Sequence, residues 1–172
     1  MKHFLLIFIL IFNQQVLFPQ QFYTEKGVTE FDGSKAAFEP IKASNNNTIS
    51  IIDSSDGQIA AVILISEFDF RLGLMQEHFN ENYLESNVYP KSTFEGQIKN
   101  FSLEELNQDF KEHEIEGVLT IKGVNNDITT KAKIRKIDEK IELTSGFSVM
   151  LSDYKLKIPK IVFKKIDEEV KI

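Results

Sequence analysis

The chain has 172 residues, with 26 acidic side chains against 20 basic ones and no cysteine. This length fits one domain with a sizeable hydrophobic core. The lack of cysteine excludes disulfides, thiolate metal sites and a lipid anchor attached through cysteine. The formal net charge of −6 argues against binding to nucleic acid or to an anionic membrane surface.

The first segment differs in composition from the rest of the chain. Lys2 and His3 precede an unbroken apolar run from Phe4 to Phe12. A basic start and a short apolar run are typical of a secretory signal peptide, because a membrane span needs about 20 apolar residues. We therefore expect residues 1–21 to be removed, leaving a periplasmic or secreted domain at 22–172. The alternative is a retained apolar anchor.

The first part of this domain shows short apolar runs separated by turn residues. Phe22 to Phe31 predicts a strand that ends in a hairpin turn at Asp32-Gly33. Ala36 to Ile41 predicts a second strand, stopped by the polar run Ser44 to Asn47. Thr48 to Ile52 is β-branched and predicts a third.

The segment from Ile59 to Phe70 is the most apolar part of the expected mature domain. Its even-numbered residues would share one face of a strand, and its odd-numbered residues are largely apolar too. Such a strand is covered on both faces. We expect a neighbouring segment or a partner chain to cover its outer side.

The second half of the chain alternates apolar and polar residues with a period of two. Ile115 to Gly123 and Ile128 to Ile134 predict strands joined by a turn at Asn125-Asn126, and Ile141 to Leu151 adds another apolar face. Ser102 to Phe110 predicts a brief helix with a capping box. Two further apolar segments could close the sheet, Ile161 to Ile166 and Val170 to Ile172. The pattern indicates an antiparallel barrel or sandwich.

The stretch from Met75 to Gly96 joins a short helix to an extended strand. Apolar residues at helical spacing predict that the helix lies across one mouth of a barrel. Pro90 forces the chain to be extended where the next strand begins. Gly96 within that strand predicts a bulge or a close backbone approach.

Three groups of residues together resemble the YceI-like family of lipocalin-like proteins. The central group is His78-Phe79-Asn80, Leu84-Glu85-Ser86, Tyr89-Pro90-Lys91 and Thr93-Phe94-x-Gly96; the later groups are Gly117-x-Leu119-Thr120-Ile121-x-Gly123-Val124 and Phe147, Asp153, Tyr154, Ile158 and Pro159. The resemblance covers roughly Asp69 to Ile166, whereas Phe22 to Gly57 is less distinctive. It implies an all-β fold, an antiparallel lipocalin-like β-barrel of about eight strands with one or two short helices. It also implies a polyisoprenoid or quinone-like lipid as the ligand.

The residues for catalysis or metal binding are not evident in the sequence. His78 and His113 are far apart and have no third ligand at a suitable spacing. We interpret His78 as a hydrogen-bonding helix residue and His113 as a solvated one. The motifs of acyl transfer, phosphate binding and dinucleotide binding do not occur. The sequence therefore predicts no enzyme, no cofactor and no metal.

Large apolar side chains supply the candidate ligand site. The residues predicted to line it are Phe68, Phe70, Met75, Phe79, Phe94, Leu119, Ile121, Phe147 and Val149. Each of them alone could simply pack the core. Together they predict an elongated pocket, because a barrel of about eight strands can hold one slender ligand. The alternative is a ligandless interaction module with a packed core, in which the Ile59 to Phe70 strand forms a homodimer contact.

Overall fold

The computed structural model describes residues 20–36, 38–158 and 166–172, and the architecture is almost entirely β. The predicted signal peptide lies outside the described residues apart from its last two residues, and so does the predicted segment Ile161 to Ile166 apart from Ile166. The strands are β1 (Gln21–Ser34), β2 (Lys42–Asp53), β3 (Gln58–Leu64), β4 (Asp69–Phe70), β5 (Lys91–Ile98), β6 (Lys111–Ile121), β7 (Val124–Ile137), β8 (Lys140–Ser145), β9 (Ser148–Met150) and β10 (Ile166–Lys171). One α-helix, α1 (Gly73–His78), continues into a π-helical turn at Phe79–Tyr83.

The strands form one curled antiparallel sheet, which confirms the predicted lipocalin-like architecture. The order of hydrogen-bonded neighbours is β8-β7-β6-β5-β3-β2-β1-β10-β9, and β4 pairs with β2. The two ends of this path, β8 and β9, are consecutive in the chain and are separated only by Gly146 and Phe147. The polypeptide itself therefore links the two ends of the sheet.

The alternation predicted for β6 and β7 is confirmed. Ile115 and Leu119 of β6 and Ala132 and Ile134 of β7 are buried. The turn between these strands was predicted at the wrong residues. It consists of Lys122-Gly123, with positive φ angles of 50° and 72°, because a two-residue hairpin needs this left-handed geometry at both positions.

Strand β1 is longer than predicted, and Asp32-Gly33 is not a turn. The second strand predicted at Ala36 to Ile41 is wrong, because its described residues form a turn and a loop, and β2 instead extends the predicted third strand, Thr48 to Ile52, back to Lys42. Gly33 is buried within β1, and Asp32 Oδ1 accepts a hydrogen bond of 3.0 Å from the Ser34 amide. Lys42 Nζ lies 2.9 Å from Asp32 Oδ2. The aspartate therefore stabilises a register shift inside the sheet rather than a chain reversal.

The asparagine run lies inside β2 and does not stop a strand. Asn45 is 0% exposed, and its side-chain amide donates to the Leu64 carbonyl at 2.9 Å. Its side-chain oxygen accepts from the Asn47 amide at 2.8 Å. Because both polar atoms are paired, the buried asparagine is accommodated within the strand.

The predicted single strand from Ile59 to Phe70 is interrupted by a 3₁₀ turn at Ile65–Glu67. Ile59 of β3 is 7% exposed, whereas Leu64 on the outer side is 37% exposed. After the turn, Phe68 and Phe70 are buried. Odd-numbered residues such as Ile59 therefore face the interior before the turn, and even-numbered residues face it after the turn. The outer side of β3 is not fully covered within the described residues.

The predicted helix at Ser102 to Phe110 is wrong. Only Leu103–Glu105 forms a 3₁₀ turn, and Ser102 makes no side-chain capping bond. Leu106 is buried in the core. Phe110 is 43% exposed, and the Arg135 guanidinium lies 4.2 Å from the centre of its ring.

The interior divides into three connected groups of buried and partly buried side chains. At one end of the strands lies the far-end cluster, Ile52, Ile59, Ile98, Leu106, Ile115, Ala132 and Ile134. At the opposite end lies the aromatic cluster, which we define as Phe31, Phe68, Phe70 and Phe79. Between β6, β9 and β10 lies the middle cluster, Leu119, Val149, Tyr154 and Val170.

Candidate functional site

A helical cover that we call the lid, residues Gly73–Tyr83, lies over the aromatic cluster and contributes Phe79 to it. None of the lid residues is buried, although Met75 and Phe79 pack against the side chains below. Leu72 and Leu74 at its edge are 38% and 62% exposed. The predicted helix across the barrel mouth is therefore present, and it is held by few buried groups.

The four rings of the aromatic cluster contact one another closely. Phe31 stacks on Phe79 with centroids 5.4 Å apart and an angle of 19° between the ring planes. Phe31 also lies 5.4 Å from Phe68 and 5.6 Å from Phe70 in edge-on geometry. Phe79 lies 5.5 Å from Phe68 and 5.0 Å from Phe70. Phe79 of the lid thus contacts the other three rings.

Phe31 was missed by the sequence analysis although it contacts all three other rings of the cluster. The residue directly precedes Asp32-Gly33, which was interpreted as a turn, so Phe31 was placed at the end of a strand. The alternation from Gly27 through Thr29 to Phe31, all partly buried, is the signal that places it on the inner face.

Phe94 packs along its own strand over a pair of glycines. Gly96 of β5 lies opposite Gly117 of β6, and the pairing is regular from Thr93 to Ile98. A Cβ atom at Gly96 would lie 2.5 Å from the Phe94 ring, and one at Gly117 would lie 2.8 Å from it. A Cβ atom at Gly96 would also lie 2.6 Å from the Glu116 carbonyl oxygen, and one at Gly117 would lie 2.3 Å from the Glu95 carbonyl oxygen. The predicted close backbone approach at Gly96 is therefore present, and β5 has no bulge there.

All nine predicted lining residues lie in connected parts of the interior. Phe68, Phe70, Met75 and Phe79 belong to or pack on the aromatic cluster, and Leu119, Phe147, Val149 and Phe94 belong to or pack on the middle cluster. Ile121 packs against both.

These side chains pack against one another in the aromatic and middle clusters. Two cavities formed by the described residues are grooves open to solvent, of about 570 and 400 Å³. The larger groove is lined by Phe31, Asp32, Lys42 and Ala43 among others, next to the aromatic cluster. The predicted enclosed pocket is not one of these two cavities.

Polar contacts join the segment after the lid to the turn between β6 and β7. Lys122 Nζ donates to the Tyr83 carbonyl at 3.0 Å and lies 2.6 Å from Glu85 Oε1. The Lys122 side chain is only 17% exposed, so solvent screens this ion pair less than an exposed one. The Tyr89 ring lies against Gly123 of the same turn. One side of the lid is therefore anchored to the barrel rim.

Tyr154 is a buried polar residue that the sequence analysis assigned no role beyond the family pattern. It ends a 3₁₀ turn at Leu151–Tyr154 and is 2% exposed. Its hydroxyl is buried and makes no hydrogen bond of acceptable geometry to the described residues. Burial raises the pKa of the Tyr154 hydroxyl, and the neighbouring Asn126 side chain opposes part of that rise.

The two histidines lie at different places. His78 is exposed in the lid, whereas His113 is partly buried on β6. His113 Nδ1 lies 3.3 Å from the Lys99 carbonyl, and Nε2 is buried with no partner among the described residues. The interpretation of His113 as a solvated residue is therefore wrong.

The described part of the chain brings together no group of three or more His, Cys, Asp or Glu side chains able to hold a metal. Within residues 20–36, 38–158 and 166–172, no helix has the length and apolar character needed to cross a membrane.

Solved structures with the same fold share little sequence with this chain. A polyisoprenoid binding domain from Saccharophagus degradans, implicated in plant cell wall breakdown, has a TM-score of 0.76 and 15% identity, covering 89% of this chain and 94% of its own. BcnA of Burkholderia cenocepacia has a TM-score of 0.67 and 15% identity, covering 84% and 91%. The Campylobacter jejuni YCEI protein has a TM-score of 0.54 and 15% identity, covering 100% and 94%. At this identity the similarity shows the fold alone.

Among curated proteins, none is similar enough in sequence to count as a match. The family is shown instead by the model of the YceI-like domain, which matches residues 21–172. The predicted resemblance is therefore confirmed: the chain belongs to the YceI-like family.

Proposed function

We propose that this protein binds a long apolar lipid, a polyisoprenoid or quinone-like molecule, inside the barrel beneath the lid and catalyses no reaction. The observation that carries the proposal is the aromatic cluster: three phenylalanine rings lie under a helical cover that contributes the fourth ring, Phe79, and has no buried residue of its own. Family membership and the fold shared with a polyisoprenoid binding domain support the same ligand class.

The binding energy would come from apolar contact. Burial of apolar surface contributes about 25 cal/mol per Å², so a hydrocarbon chain that buries on the order of 400 Å² gains roughly 10 kcal/mol before the costs of ordering. Because the side chains of the proposed site pack against one another, the lipid must displace some of them. Phe79 and Met75 of the lid are only partly buried, so moving them exposes less apolar surface than moving a core residue.

The experiment is extraction of the purified protein with organic solvent, followed by mass spectrometry and by titration with undecaprenol and ubiquinone. We expect a co-purified lipid or saturable binding of these probes. Phe79→Ala should change the affinity, whereas Phe110→Ala, at a ring outside the aromatic cluster, should not. No extracted lipid together with no saturable binding would refute the proposal.

Export is the second part of the proposal. The basic start and apolar run of residues 1–21 support cleavage near Gln20 to Phe22 and a periplasmic or secreted protein. Intact mass spectrometry of protein expressed with its full sequence in a bacterium should show the loss of this segment. Recovery of the full-length chain in the cytoplasmic fraction would contradict export.

A second candidate function is a homodimerisation module with a packed interior. Apolar side chains on the outer face of β1 and β2 favour it: Tyr23 is 67% exposed, Ile49 41% and Ile51 37%. Tyr23 lies opposite Ile51, and Ile49 lies opposite Val62 of β3, so the residues form one stripe across three strands.

Sedimentation analysis separates the two candidate functions. The dimer hypothesis expects a dimer in the wild type and a monomer in Ile51→Lys, with no lipid bound by either. Lipid binding that persists in a monomeric Ile51→Lys variant would assign function to the interior instead.

A further inference from the structure

Tyr154 lies in an apolar environment that does not satisfy its hydroxyl group. Its neighbours in the middle cluster are Leu119, Val149 and Val170, all buried. The residue itself is 2% exposed, and its hydroxyl makes no hydrogen bond of acceptable geometry to the described residues. Burying a hydroxyl without a partner costs free energy, and a phenylalanine would occupy nearly the same volume without that cost. The large majority of buried hydroxyl groups in proteins have a hydrogen-bond partner.

The position of Tyr154 connects it to the proposed lipid site. The middle cluster and the side chains around the aromatic cluster share Phe31, Ile121 and Leu156. The 3₁₀ turn that carries Tyr154 follows β9 and packs against β7 and β10. The tyrosine is therefore held by the sheet, not by the lid, next to the interior that the lipid would enter.

We propose that the Tyr154 hydroxyl donates a hydrogen bond to an oxygen atom of the bound lipid, so that the protein selects oxygenated isoprenoids, prenols or quinones, over pure hydrocarbons. This inference rests on the proposed function and adds a residue and a selectivity to it. The hydroxyl acts as a donor because burial keeps it protonated at neutral pH, as the raised pKa of Tyr154 indicates.

The competing explanation is an internal bond to Asn126. The Asn126 side-chain amide is already engaged, since its Nδ2 donates to the Asp153 carbonyl at 3.0 Å. The same side chain also lies close enough to the Tyr154 hydroxyl to lower its pKa as a hydrogen-bond donor would, although the geometry falls short of a hydrogen bond. In this explanation the tyrosine serves the fold alone, and its hydroxyl has no effect on the choice of lipid.

The test is Tyr154→Phe, measured as the affinity for undecaprenol and for ubiquinone relative to that for squalene, an isoprenoid hydrocarbon. We expect the affinity for the oxygenated lipids to fall about tenfold, the effect of one lost hydrogen bond, with squalene binding unchanged. Tyr23→Phe, which removes an exposed hydroxyl, is the matched control and should change neither.

The outcomes distinguish the two proposals. If the wild type binds none of the three lipids, the proposed function fails, and this inference fails with it. If the wild type binds them but Tyr154→Phe lowers all affinities equally or none, only this inference is overturned. Asn126→Ala serves as a control for a folding defect. If the Tyr154 hydroxyl bonds only to Asn126, both Asn126→Ala and Tyr154→Phe should lower the melting temperature, and neither should change the selectivity for lipids. Our proposal expects Asn126→Ala to keep the preference for oxygenated lipids and Tyr154→Phe to lose it.

Discussion

The two ends of the barrel are built from different side chains. The far-end cluster is aliphatic, and it contains Ile134 at 0%, Ile98 at 1% and Ala132 at 1% exposure. The end beneath the lid is aromatic, and the lid that covers it has no buried residue. Branched aliphatic side chains pack densely in few rotamers, whereas ring contacts can be rearranged around a guest molecule.

This difference indicates that the two ends of the domain have different roles. Regions with few buried contacts open at a lower free energy than the core, and ligand-binding covers are drawn from them. We infer that the far-end cluster supplies most of the stability and that the lid end supplies the adaptable volume. Three substitutions test this division, taken in order of decreasing effect on stability.

Ile134→Ala should be the most destabilising of the three. The side chain is fully buried, and its truncation leaves a cavity, so the free energy of unfolding should fall by about 2–4 kcal/mol. Ile137→Ala on the same strand is the matched control, because Ile137 is 36% exposed and should cost well under half as much. Urea denaturation measures both. Equal losses in the free energy of unfolding at Ile134 and Ile137 would show that the far-end cluster is not the main source of stability.

Phe79→Ala should cost less in stability and more in function. The ring contacts three others but is only partly buried, so we expect a loss of about 1–2 kcal/mol in the free energy of unfolding. Binding of undecaprenol should change more than it does in Ile134→Ala. A loss of stability as large as that of Ile134→Ala, with unchanged binding, would show that the two ends of the barrel form one uniform core.

Asp32 gives the lid end a dependence on pH. Hydrogen bonds from Ser34 and the neighbouring Lys42 lower the pKa of Asp32 from 3.8 to about 2. Because the folded-state pKa is depressed, the stabilisation is complete above the unfolded-state value near 4 and is lost as the pH falls towards 2. Solvent reaches 35% of the side chain, so we expect about 1 kcal/mol rather than the full value of the shift.

The measurement is the stability difference between the wild type and Asp32→Asn in urea at several pH values. The wild type should be more stable at neutral pH, and the difference should shrink below about pH 4. Lys42→Met removes one cause of the shift and should give an intermediate pH dependence. A difference that is constant with pH would show that Asp32 acts only through its shape.

The second half of the fold could be predicted from the sequence because its strands face water on one side. Residues such as Ile115 and Ile134 alternate with charged residues, and this period of two determines which face is buried. Turn positions were harder to predict. Asn125-Asn126 and Lys122-Gly123 both contain favourable turn residues, and only the pairing of Ile121 with Val124 decides between them.

The site could be predicted only in part, since its residue types were evident and its packing was not. Phe68 and Phe70 were identified from composition, but the 3₁₀ turn before them, which aims both rings inwards, has no strong local signal. Phe31 was missed because Asp32-Gly33 forms hairpin turns in isolation. Here, long-range contacts with Lys42 and with β10 override that local preference.

The junction at Gly146 and Phe147 has a mechanical consequence. Strand β8 hydrogen-bonds to β7, β9 bonds to β10, and the backbone between them spans the gap between the two borders of the sheet. A single proteolytic nick at this junction would leave both borders untethered from each other. Since β8 and β9 do not pair with each other among the described residues, a nicked molecule could open at this junction and offer both strand edges to other chains.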